Sequence, residues 1–527
     1  MCCLRASKEA LPMRILRRLR AVVLIPLFVG GLVAILLGIK NGWFSVQVGR
    51  VSLSLMGTIL LGKLGVQQTF AYLNNRRWKT RLRGRLLDEI EKIREIDRSA
   101  LEERFWMRYP DWIAYIWSLY PDIEVRWKEI MNNMVLTAAQ QAGRPIPTIG
   151  FEIPIHGVRI EEIEDTVQSL LDQTVQTDRI ILAVNGHQGE LLEQQVAEYV
   201  ASLHDERVTY FSLKEGHKRT AMKVGFDGLD DLDETGNVDA DTEVHHDVVG
   251  IGKTVKLIDP RVHAITSNVE IKNPERDELS FQTWLRYLYA NLVERAAQSW
   301  FYCVSCMSGP YMQCRTQDIR IITRTMQDRW EKQYFFRERV GPGDDRTLTE
   351  CILSLGLGVV FICDMHTFTD CPATMSDWKK QQTRWARSGL RGVAVKVIEW
   401  WFWEKFAVLT IFDELYLATF SFLLMIVVGQ ITWRAKDVLL EDGLIAAGAY
   451  VIPYLILVIA INLVKAELMA RINHDVRHRQ AFWYIKYQLR YLVWIKVWAL
   501  ATITNSNWGT RGASQASVPW WRRFRRR

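Results

Sequence analysis

Residues 148–184 read TIGFEIPIHGVRIEEIEDTVQSLLDQTVQTDRIILAV and combine two hydrophobic periodicities. An apolar run predicts a strand over Thr148–Ile155, and apolar residues at helical spacing predict an amphipathic helix over Ile160–Gln173. A second apolar run predicts a short buried strand over Ile180–Val184, and another helix is expected over Gly189–Leu203. This alternation of strand and helix predicts a parallel α/β sheet, which binds ligands at the carboxyl ends of its strands.

The composition of the whole chain excludes several classes of protein. Hydrophobic residues make up 49% of the 527 residues and charged residues 24%, so the chain is neither disordered nor collagen-like. Eight cysteines in this length exclude a small disulfide-stabilised scaffold. The 21 tryptophans are concentrated after residue 284, and tryptophan is common at membrane interfaces and on sugar-binding surfaces.

Four apolar runs near the two ends of the chain predict membrane spans. Each is about as long as a helix that crosses a hydrocarbon core of roughly 30 Å. The runs are Ala21–Ile39, Val51–Leu73, Leu415–Trp433 and Gly443–Val464. Buried core helices are the alternative, chiefly for the second run, because it contains Lys63.

The positive charges predict how these spans are oriented. Arginines precede the first run, and six cations between Arg76 and Arg85 follow the second, whereas the loop between the runs carries two. Positive charge favours the cytosolic side, so both ends of this hairpin are expected in the cytosol. The same reasoning places Asn74–Phe406 and the C-terminus in the cytosol.

Other aromatic and basic segments are better suited to the membrane surface than to its interior. Ala481–Thr504 contains three cations in about 24 residues, which disfavours a span and favours an amphipathic interfacial helix. The segment EWWFWEK at Glu399–Lys405 is interpreted in the same way. The terminal WWRRFRRR predicts contact with anionic lipid rather than with nucleic acid, because it lies beside a membrane segment.

Two acidic motifs are candidates for chemistry. Asp239 and Asp241, two residues apart on an extended segment, would point the same way and suit a hard divalent cation bound to a diphosphate. A solvated acidic turn is the alternative, and the polar stretch Asp227–Asn237 before it favours that alternative. In Gly343-Asp-Asp-Arg346, Asp345 could be tuned as a general base by its neighbours, with a surface turn as the alternative.

Three further motifs combine cations, aromatic residues and glycines. Lys218 lies in a basic cluster, G-H-K-R, at a predicted helix start, where an anion or plain solvent would be accommodated. In Q-Q-T-R-W, Arg384 suits a diphosphate and Trp385 a sugar face. The motif W-G-T-R-G begins at Trp508. The alternative to a functional role for this motif is a tryptophan in a glycine turn that only anchors the chain to the membrane.

Together and in this order, the motifs resemble those of the hyaluronan synthases. The order is G-x-K-R, D-x-D, G-D-D-R, Q-x-x-R-W and W-G-T-R-G, and matches between them include Glu294-Arg-Ala-Ala-Gln-Ser299 and Cys306-Met-Ser-Gly-Pro310. The resemblance covers roughly residues 145–515. It implies a Rossmann-like α/β glycosyltransferase domain of the GT-A fold, cytosolic and joined to an α-helical transmembrane domain with interfacial helices. It also implies a multi-pass protein of the plasma membrane.

The resemblance assigns roles to matching positions. On the donor side, Asp241 and Asp239 would hold Mg²⁺ or Mn²⁺, while Lys218, Arg384 and Asn185 would bind the nucleotide and its phosphates. Asp345 would be the general base.

The acceptor side and the loop that closes over the nucleotide follow from the same resemblance. Gln381 and Trp385 would bind the acceptor sugar, and Trp508, Thr510 and Arg511 would form a gating loop. Asn185 stands where the family usually has Asp, and Ile155-His-Gly157 replaces the usual nucleotide-contact loop.

The implied function is processive, inverting polymerisation of UDP-sugars, UDP-GlcNAc and UDP-GlcA, into hyaluronan or a related β-linked polysaccharide. The growing chain would leave through the protein's own spans, and a homo-oligomer or partner subunit would complete a channel of only four. A synthase of a chitin-like or other homopolymer and an inactive membrane scaffold remain alternatives.

The chain is expected to divide into five segments. They are a hairpin (1–75), a helical lead-in (76–145), the GT-A domain (146–398), an interfacial helix with the last two spans (399–475), and an interfacial helix, gating loop and basic tail (476–527).

Overall fold

The computed structural model describes residues 46–186, 190–214, 217–336, 338–472 and 476–505. The first predicted span, the W-G-T-R-G motif with Trp508, Thr510 and Arg511, and the basic tail lie outside these residues.

An eight-stranded mixed sheet dominates the described chain. In order across the sheet, its strands are β3-β2-β1-β4-β7-β6-β10-β5, and a separate hairpin pairs β8 with β9. The strands are β1 (Ile149–Ile155), β2 (Arg179–Asn185), β3 (Val208–Leu213), β4 (Glu234–Asn237), β5 (Thr242–Val244), β6 (Val262–Ile271), β7 (Met312–Arg315), β8 (Tyr334–Phe335), β9 (Glu338–Arg339) and β10 (Gly358–Thr369). This confirms the predicted α/β, Rossmann-like fold class with a separate helical region.

Helices precede the sheet, connect its strands and follow it. Before and within the sheet they are α1 (Val46–Glu91), α2 (Arg98–Glu102), α3 (Tyr109–Leu119), α4 (Pro121–Val125), α5 (Trp127–Ala142), α6 (Ile160–Leu171), α7 (Glu190–Leu203), α8 (Lys218–Asp227), α9 (Val248–Ile258), α10 (Glu278–Tyr289), α11 (Ala296–Trp300), α12 (Thr316–Thr325) and α13 (Asp344–Ser354). After the sheet they are α14 (Met375–Lys396), α15 (Trp400–Lys405), α16 (Val408–Ile472), α17 (Tyr484–Tyr487) and α18 (Val493–Ala501). A π-helical turn, Ala290–Arg295, joins α10 to α11.

The parallel half of the sheet brings three strand ends to one edge. β1 pairs in parallel with β2 on one side and with β4 on the other. Every residue of β1 is buried, as expected for a strand covered by helices on both faces. Because parallel strands end at the same edge, the residues after Ile155, Asn185 and Asn237 lie together there.

Strand β4 forms although the stretch Asp227–Asn237 is polar. All four β4 residues, Glu234–Asn237, are buried, and their polar side chains have partners in the core. Glu234 forms an ion pair with Lys256, and Asn237 Nδ2 donates a hydrogen bond to the Gly309 carbonyl at 2.9 Å. The polar stretch that favoured a solvated turn therefore contains a buried strand, since buried polar groups are tolerated when they are paired.

The helical lead-in expected before the sheet is divided into several helices. The first of them, α1, ends at Glu91, and a turn precedes α2. Residues 109–142 are divided among α3, α4 and α5. Fully buried Arg83 fastens α1 to the sheet through two hydrogen bonds of 2.9 Å to the Asp364 carboxylate on β10.

The chain forms two compact units. The larger consists of Val66–Ser388 and the segment from Lys465 onward, and it contains the sheet. The smaller consists of the stretch up to Gly65 and Gly389–Val464. In the larger unit the helical turns after Val476 bury Tyr487 and expose Trp494, an amphipathic pattern like that predicted for this segment.

The smaller unit contains most of the long apolar helix α16. Its stretch Val408–Glu467 is, among the described residues, the one helix long and apolar enough to cross a membrane. Gly443 interrupts α16 with a φ of 84°, and the predicted spans Leu415–Trp433 and Gly443–Val464 fall on either side of this kink.

Two ion pairs are buried in the smaller unit. Lys63 Nζ lies 3.1 Å from Asp413 Oδ1, and Lys396 Nζ lies 2.5 Å from Glu414 Oε2. Removing one partner of a buried pair leaves an uncompensated charge, so these pairs hold the helices of the unit together. The first pair also explains how Lys63 is accommodated within an otherwise apolar stretch.

Candidate active site

Lys218 joins the two acidic motifs. At the start of α8, its Nζ lies 2.8 Å from Asp239 Oδ1 and 3.1 Å from Asp344 Oδ2. Burial lowers the pKa of Lys218, but the carboxylates of Asp239 and Asp344 raise it by a larger amount. The pKa of Lys218 is therefore raised above its ordinary value. The amine is therefore a fixed positive charge between the turn after β4 and the first turn of α13.

Asp241, like Asp239, is partly buried. Burial and then the neighbouring carboxylate of Asp239 raise the pKa of Asp241 to about 6. The hydroxyl of Thr369 donates a hydrogen bond to Asp241 Oδ1 at 3.4 Å. Two neighbouring carboxylates of this kind form the hard oxygen donor set that Mg²⁺ and Mn²⁺ prefer, so the residues fit such an ion.

Gly309 provides the space for the Asp239 carboxylate. A Cβ added at Gly309 would lie 2.6 Å from Asp239 Oδ2, closer than real Cβ contacts allow. The backbone beside it is held in place, because Asn237 donates to the Gly309 carbonyl. The glycine of the C-M-S-G-P motif therefore has a steric function next to the D-x-D motif.

The second acidic motif begins a helix. Gly343 has a φ of +91°, a left-handed conformation that favours glycine, and it caps α13. A Cβ at this position would lie 2.1 Å from Ser388 Oγ on α14, so the loop packs closely on that helix. Asp344 and Asp345 occupy the first turn of α13, where the helix dipole stabilises negative charge.

Asp344 and Asp345 have opposite pKa shifts. Burial raises the pKa of Asp344, but the charges of Lys218 and Arg219 outweigh it, and the net pKa is lowered. Burial and then the Asp344 carboxylate raise the pKa of Asp345. Asp345 Oδ1 accepts a hydrogen bond from its neighbour's backbone N–H at 2.7 Å. A carboxylate with a raised pKa that remains a proton acceptor is suited to general-base catalysis.

Helix α14 carries the predicted phosphate and acceptor residues. Arg384 is largely buried, and burial lowers its pKa against the attraction of the Asp344, Asp239 and Asp345 carboxylates. The Trp385 side chain is 42% exposed, with its ring centroid 6.1 Å from that of Tyr287. The Gln381 side-chain oxygen is buried and has no hydrogen-bond partner among the described residues.

Asn185 is at the strand edge, as predicted. Its side-chain oxygen accepts a hydrogen bond from the backbone N–H of His217 at 3.0 Å, and His156 Nδ1 lies 3.1 Å from its carbonyl oxygen. Burial lowers the pKa of His217 to about 4, so this imidazole is neutral at physiological pH. Asn185 thus holds the residue that precedes Lys218.

The terminal segment contacts the helix that carries Q-x-x-R-W. Thr502 is fully buried, and its hydroxyl oxygen accepts two hydrogen bonds from the Arg387 guanidinium, at 3.0 and 2.8 Å. Arg387 is three residues beyond Arg384, so the chain that leads toward W-G-T-R-G packs beside the site.

Glu152, in the middle of β1, was not singled out from the sequence. It is fully buried, and neither carboxyl oxygen has a hydrogen-bond partner among the described residues. Burial raises the pKa of Glu152 well above its ordinary value. A single acidic residue within an apolar strand was the available sequence signal.

Asp344 and Gly309 were quoted within motifs but given no role. Their functions depend on contacts with residues distant in sequence, so spacing alone could not reveal them. Asp344 contacts Lys218, and Gly309 contacts Asp239.

A second group of metal-ligating residue types lies at the other end of β5. One ligand atom each of His245, His246 and Asp247 lies within 4.8 Å of the others. The Asp247 carboxylate accepts hydrogen bonds from the Tyr109 hydroxyl at 3.1 Å and the Trp127 indole at 3.0 Å. These bonds satisfy the carboxylate and tie the lead-in helices to the sheet.

Comparisons of sequence identify curated relatives of this chain. No protein-family model matches it. Human hyaluronan synthase 3 is 30% identical over 312 residues, covering 57% of this chain and 51% of the relative. Human hyaluronan synthase 2 is 29% identical over 304 residues, with the same shares. Mouse hyaluronan synthase 3 is 26% identical over 483 residues, covering 88% of this chain and 77% of the relative.

The chain is a relative of the hyaluronan synthases. The resemblance that the motifs predicted is thereby confirmed. In the two alignments with the human proteins, the chain spans about half the length of the curated relative.

Two solved structures are more distantly similar. The mannosyltransferase PcManGT from Pyrobaculum calidifontis, in complex with GDP-Man and Mn²⁺, has a TM-score of 0.44 at 13% identity, covering 67% of this chain and 94% of that chain. GalNAc-T7, with UDP, GalNAc and Mn²⁺, has a TM-score of 0.35 at 13% identity, covering 48% of this chain and 49% of that chain.

Proposed function

We propose that this chain is a metal-dependent, inverting membrane glycosyltransferase that polymerises UDP-sugars into hyaluronan or a related β-linked polysaccharide. The observation that carries the proposal is the position of Lys218, which contacts one aspartate of each acidic motif. This arrangement brings a carboxylate pair suited to a metal ion next to a carboxylate suited to a general base. The similarity to hyaluronan synthases supports this proposal, in which UDP-GlcNAc and UDP-GlcA are the donors.

The donor is bound at the strand edge. Asp239 and Asp241 would hold Mg²⁺ or Mn²⁺, which neutralises part of the charge on the UDP diphosphate when it is bound. Lys218 contacts the nucleotide phosphates, and Arg384 stabilises the charge that grows on the leaving diphosphate. Asn185 binds on the nucleotide side and also orients Lys218 through the backbone of His217.

The acceptor is activated at the start of α13. Asp345 takes the proton from the acceptor hydroxyl as the hydroxyl oxygen bonds to the anomeric carbon and the bond from that carbon to the diphosphate breaks. A single displacement of this kind converts an α-linked donor into a β-linked product. Trp385 stacks on the acceptor sugar, and Gln381 offers its buried carbonyl oxygen to a sugar hydroxyl.

We place the site in the cytosol and the helices in the plasma membrane, crossing it several times. The apolar stretch Val408–Glu467 supports the membrane location, and the loop Trp508, Thr510 and Arg511 would close over the nucleotide. The polymer would remain bound between additions and leave through the spans. Membrane lipids and a further copy of the chain are the other partners in this proposal.

The test is UDP release from the full chain in lipid nanodiscs. UDP-GlcNAc, UDP-GlcA or both are supplied with Mn²⁺, and the product is treated with hyaluronidase. The proposal predicts release that needs both donors and a product that hyaluronidase degrades. Release from UDP-GlcNAc alone would indicate a homopolymer synthase, and no release under any condition would contradict the proposed activity.

A further inference from the structure

Arg219, next to Lys218, points into the protein rather than toward an anion. Its side chain is fully buried, and its three nitrogens donate five hydrogen bonds to the segment that leads into α13 and to the first turn of that helix. The acceptors are the Gly341 carbonyl at 3.1 Å, the Trp330 carbonyl at 2.5 Å, the Gln333 side-chain oxygen at 3.1 Å, the Pro342 carbonyl at 3.3 Å and the Thr347 hydroxyl at 3.3 Å.

These bonds span the backbone on both sides of the proposed base. Gly341 and Pro342 immediately precede Gly343, the cap of α13, and Thr347 lies in the first turn after Asp345. The Thr347 hydroxyl also donates to the Gly343 carbonyl at 2.8 Å, which closes the loop upon itself. A planar guanidinium with its donors in a rigid fork can hold several acceptors at fixed angles, and a lysine ammonium cannot reproduce this.

Consecutive residues of α8 therefore contact the same loop from two directions. Lys218 binds the Asp344 carboxylate, and Arg219 binds the backbone just before it. We infer that Arg219 is a positioning residue, which fixes the loop 341–347 so that the Asp345 carboxylate stands where the acceptor hydroxyl arrives. The inference rests on the proposed function, because it assigns Arg219 to the placement of that base.

Arg83 supplies a matched control. Like Arg219, it is a fully buried arginine that donates hydrogen bonds to protein acceptors, but its partners are the Asp364 carboxylate on β10 and the Met107 carbonyl in the lead-in region. A loss caused only by general destabilisation should therefore be similar in Arg83→Lys and Arg219→Lys.

The kinetic test measures UDP release in nanodiscs. Arg219→Lys should lower kcat by about 10²-fold, the scale of a 1 Å misplacement, and leave KM for the UDP-sugars within about twofold. Thr347→Val, a milder change in the same loop, should lower kcat in the same direction by less. Arg83→Lys should lower the thermal midpoint, but it should not lower kcat selectively while KM stays unchanged.

The pH profile separates geometry from charge. Arg219 carries a positive charge near Asp345, so Arg219→Gln should raise the pKa of Asp345 and move the acidic limb of the kcat profile to higher pH. Arg219→Lys keeps the charge, so its acidic limb should stay in place while kcat falls. A kcat for Arg219→Lys within twofold of wild type would overturn the inference.

Hydrogen–deuterium exchange provides a readout that does not depend on turnover. Arg219→Lys should accelerate exchange selectively at amides 341–347, whereas Arg83→Lys should leave these amides as in the wild type. If the wild type releases no UDP, the proposed function fails, but exchange still shows whether Arg219 orders the loop. Unchanged exchange at 341–347 in Arg219→Lys would overturn the inference in either case.

Discussion

The two acidic motifs contain the same residue type and differ in the backbone that carries them. Asp239 and Asp241 lie in a turn between β4 and β5, which a hydrogen bond of 3.0 Å from the Thr242 N–H to the Asp239 carbonyl closes, and not on the extended segment that the sequence predicted. Asp344 and Asp345 are consecutive in a helix, where neighbouring side chains point about 100° apart. The first backbone favours shared binding of one ion, and the second favours two separate functions.

Lys218 contacts one aspartate in each of the two motifs. It contacts Asp239 in one and Asp344 in the other. The remaining members, Asp241 and Asp345, both have raised pKa values, with burial as the largest cause and the charge of the neighbouring aspartate as the second. A single cation therefore fixes one aspartate of each motif, and the other aspartate of each motif is the one whose pKa is raised.

The largest expected effect comes from removing the proposed base. Asp345→Asn keeps the shape of the side chain but cannot accept the proton, so turnover should fall by about 10²–10⁴-fold. UDP release in nanodiscs measures this. Asp377→Asn, a change of an exposed aspartate near the start of α14, should leave turnover within about twofold of wild type. Equal turnover in Asp345→Asn and wild type would reject the assignment of the base.

Removing Lys218, which contacts both acidic motifs, should lower the stability of the protein. Lys218→Met leaves Asp239 and Asp344 without their ammonium partner, and losing one partner of a buried pair costs about 3 kcal/mol. In the wild type the pKa of Asp344 is lowered, so its stabilising contribution is present above its unfolded pKa and is lost as the pH falls through the folded pKa. The loss of thermal stability in Lys218→Met should therefore be greater at pH 7.5 than at pH 4.

The control for this variant lies on the same helix. Lys223 pairs with Asp227 at 2.6 Å in a more exposed position, where an ion pair contributes at most about 1 kcal/mol. Lys223→Met should change the thermal midpoint little at either pH. If the thermal midpoints of the two lysine variants change by the same amount, Lys218 is an ordinary surface cation and does not link the two acidic motifs.

A smaller effect is expected from crowding one motif only. In Gly309→Ala the new methyl group would displace the Asp239 carboxylate, which is the flexible end of a side chain, so the fold should be retained. Affinity for Mn²⁺ should fall by about tenfold, comparable to the loss of an outer-shell partner. Isothermal titration with Mn²⁺ measures this, and Gly389→Ala, where no atom lies within 4 Å of an added Cβ, is the control.

The smallest effect concerns Glu152, a third carboxyl group near Lys218. Because its pKa is raised in the folded state, its stabilising contribution is complete below the unfolded pKa and is lost as the pH rises through the folded pKa. Glutamine does not titrate, so the midpoint of Glu152→Gln should rise relative to wild type by about 2 °C or more between pH 5 and pH 8. Turnover should stay within about twofold. A parallel pH dependence in both proteins would show that Glu152 is charged and paired.

The fold was predictable from the sequence where hydrophobic pattern determines structure. Strand β1 occupies Ile149–Ile155, within one residue of the predicted run, because an apolar segment buried on both faces has few alternatives. Strand β4 was not predictable in this way. Its polar residues are buried only because partners such as Lys256 and Gly309 come from distant parts of the chain.

The candidate site shows the same limit. The motifs indicated Lys218, Asp239 and Asp345, and the first two of these are in direct contact. The sequence could not show that Arg219 turns away from Lys218 into the loop before α13, because that orientation depends on carbonyl groups more than 100 residues distant.

The most direct test of the account measures two properties of two variants in one nanodisc preparation. The properties are Mn²⁺-dependent UDP affinity and turnover, and the variants are Asp241→Asn and Asp345→Asn. The account predicts that Asp241→Asn weakens UDP affinity at least 10-fold, as expected when a metal ligand is lost, whereas Asp345→Asn keeps the affinity and loses turnover. Loss of both properties in both variants would contradict the assignment of metal binding to one acidic motif and of base catalysis to the other.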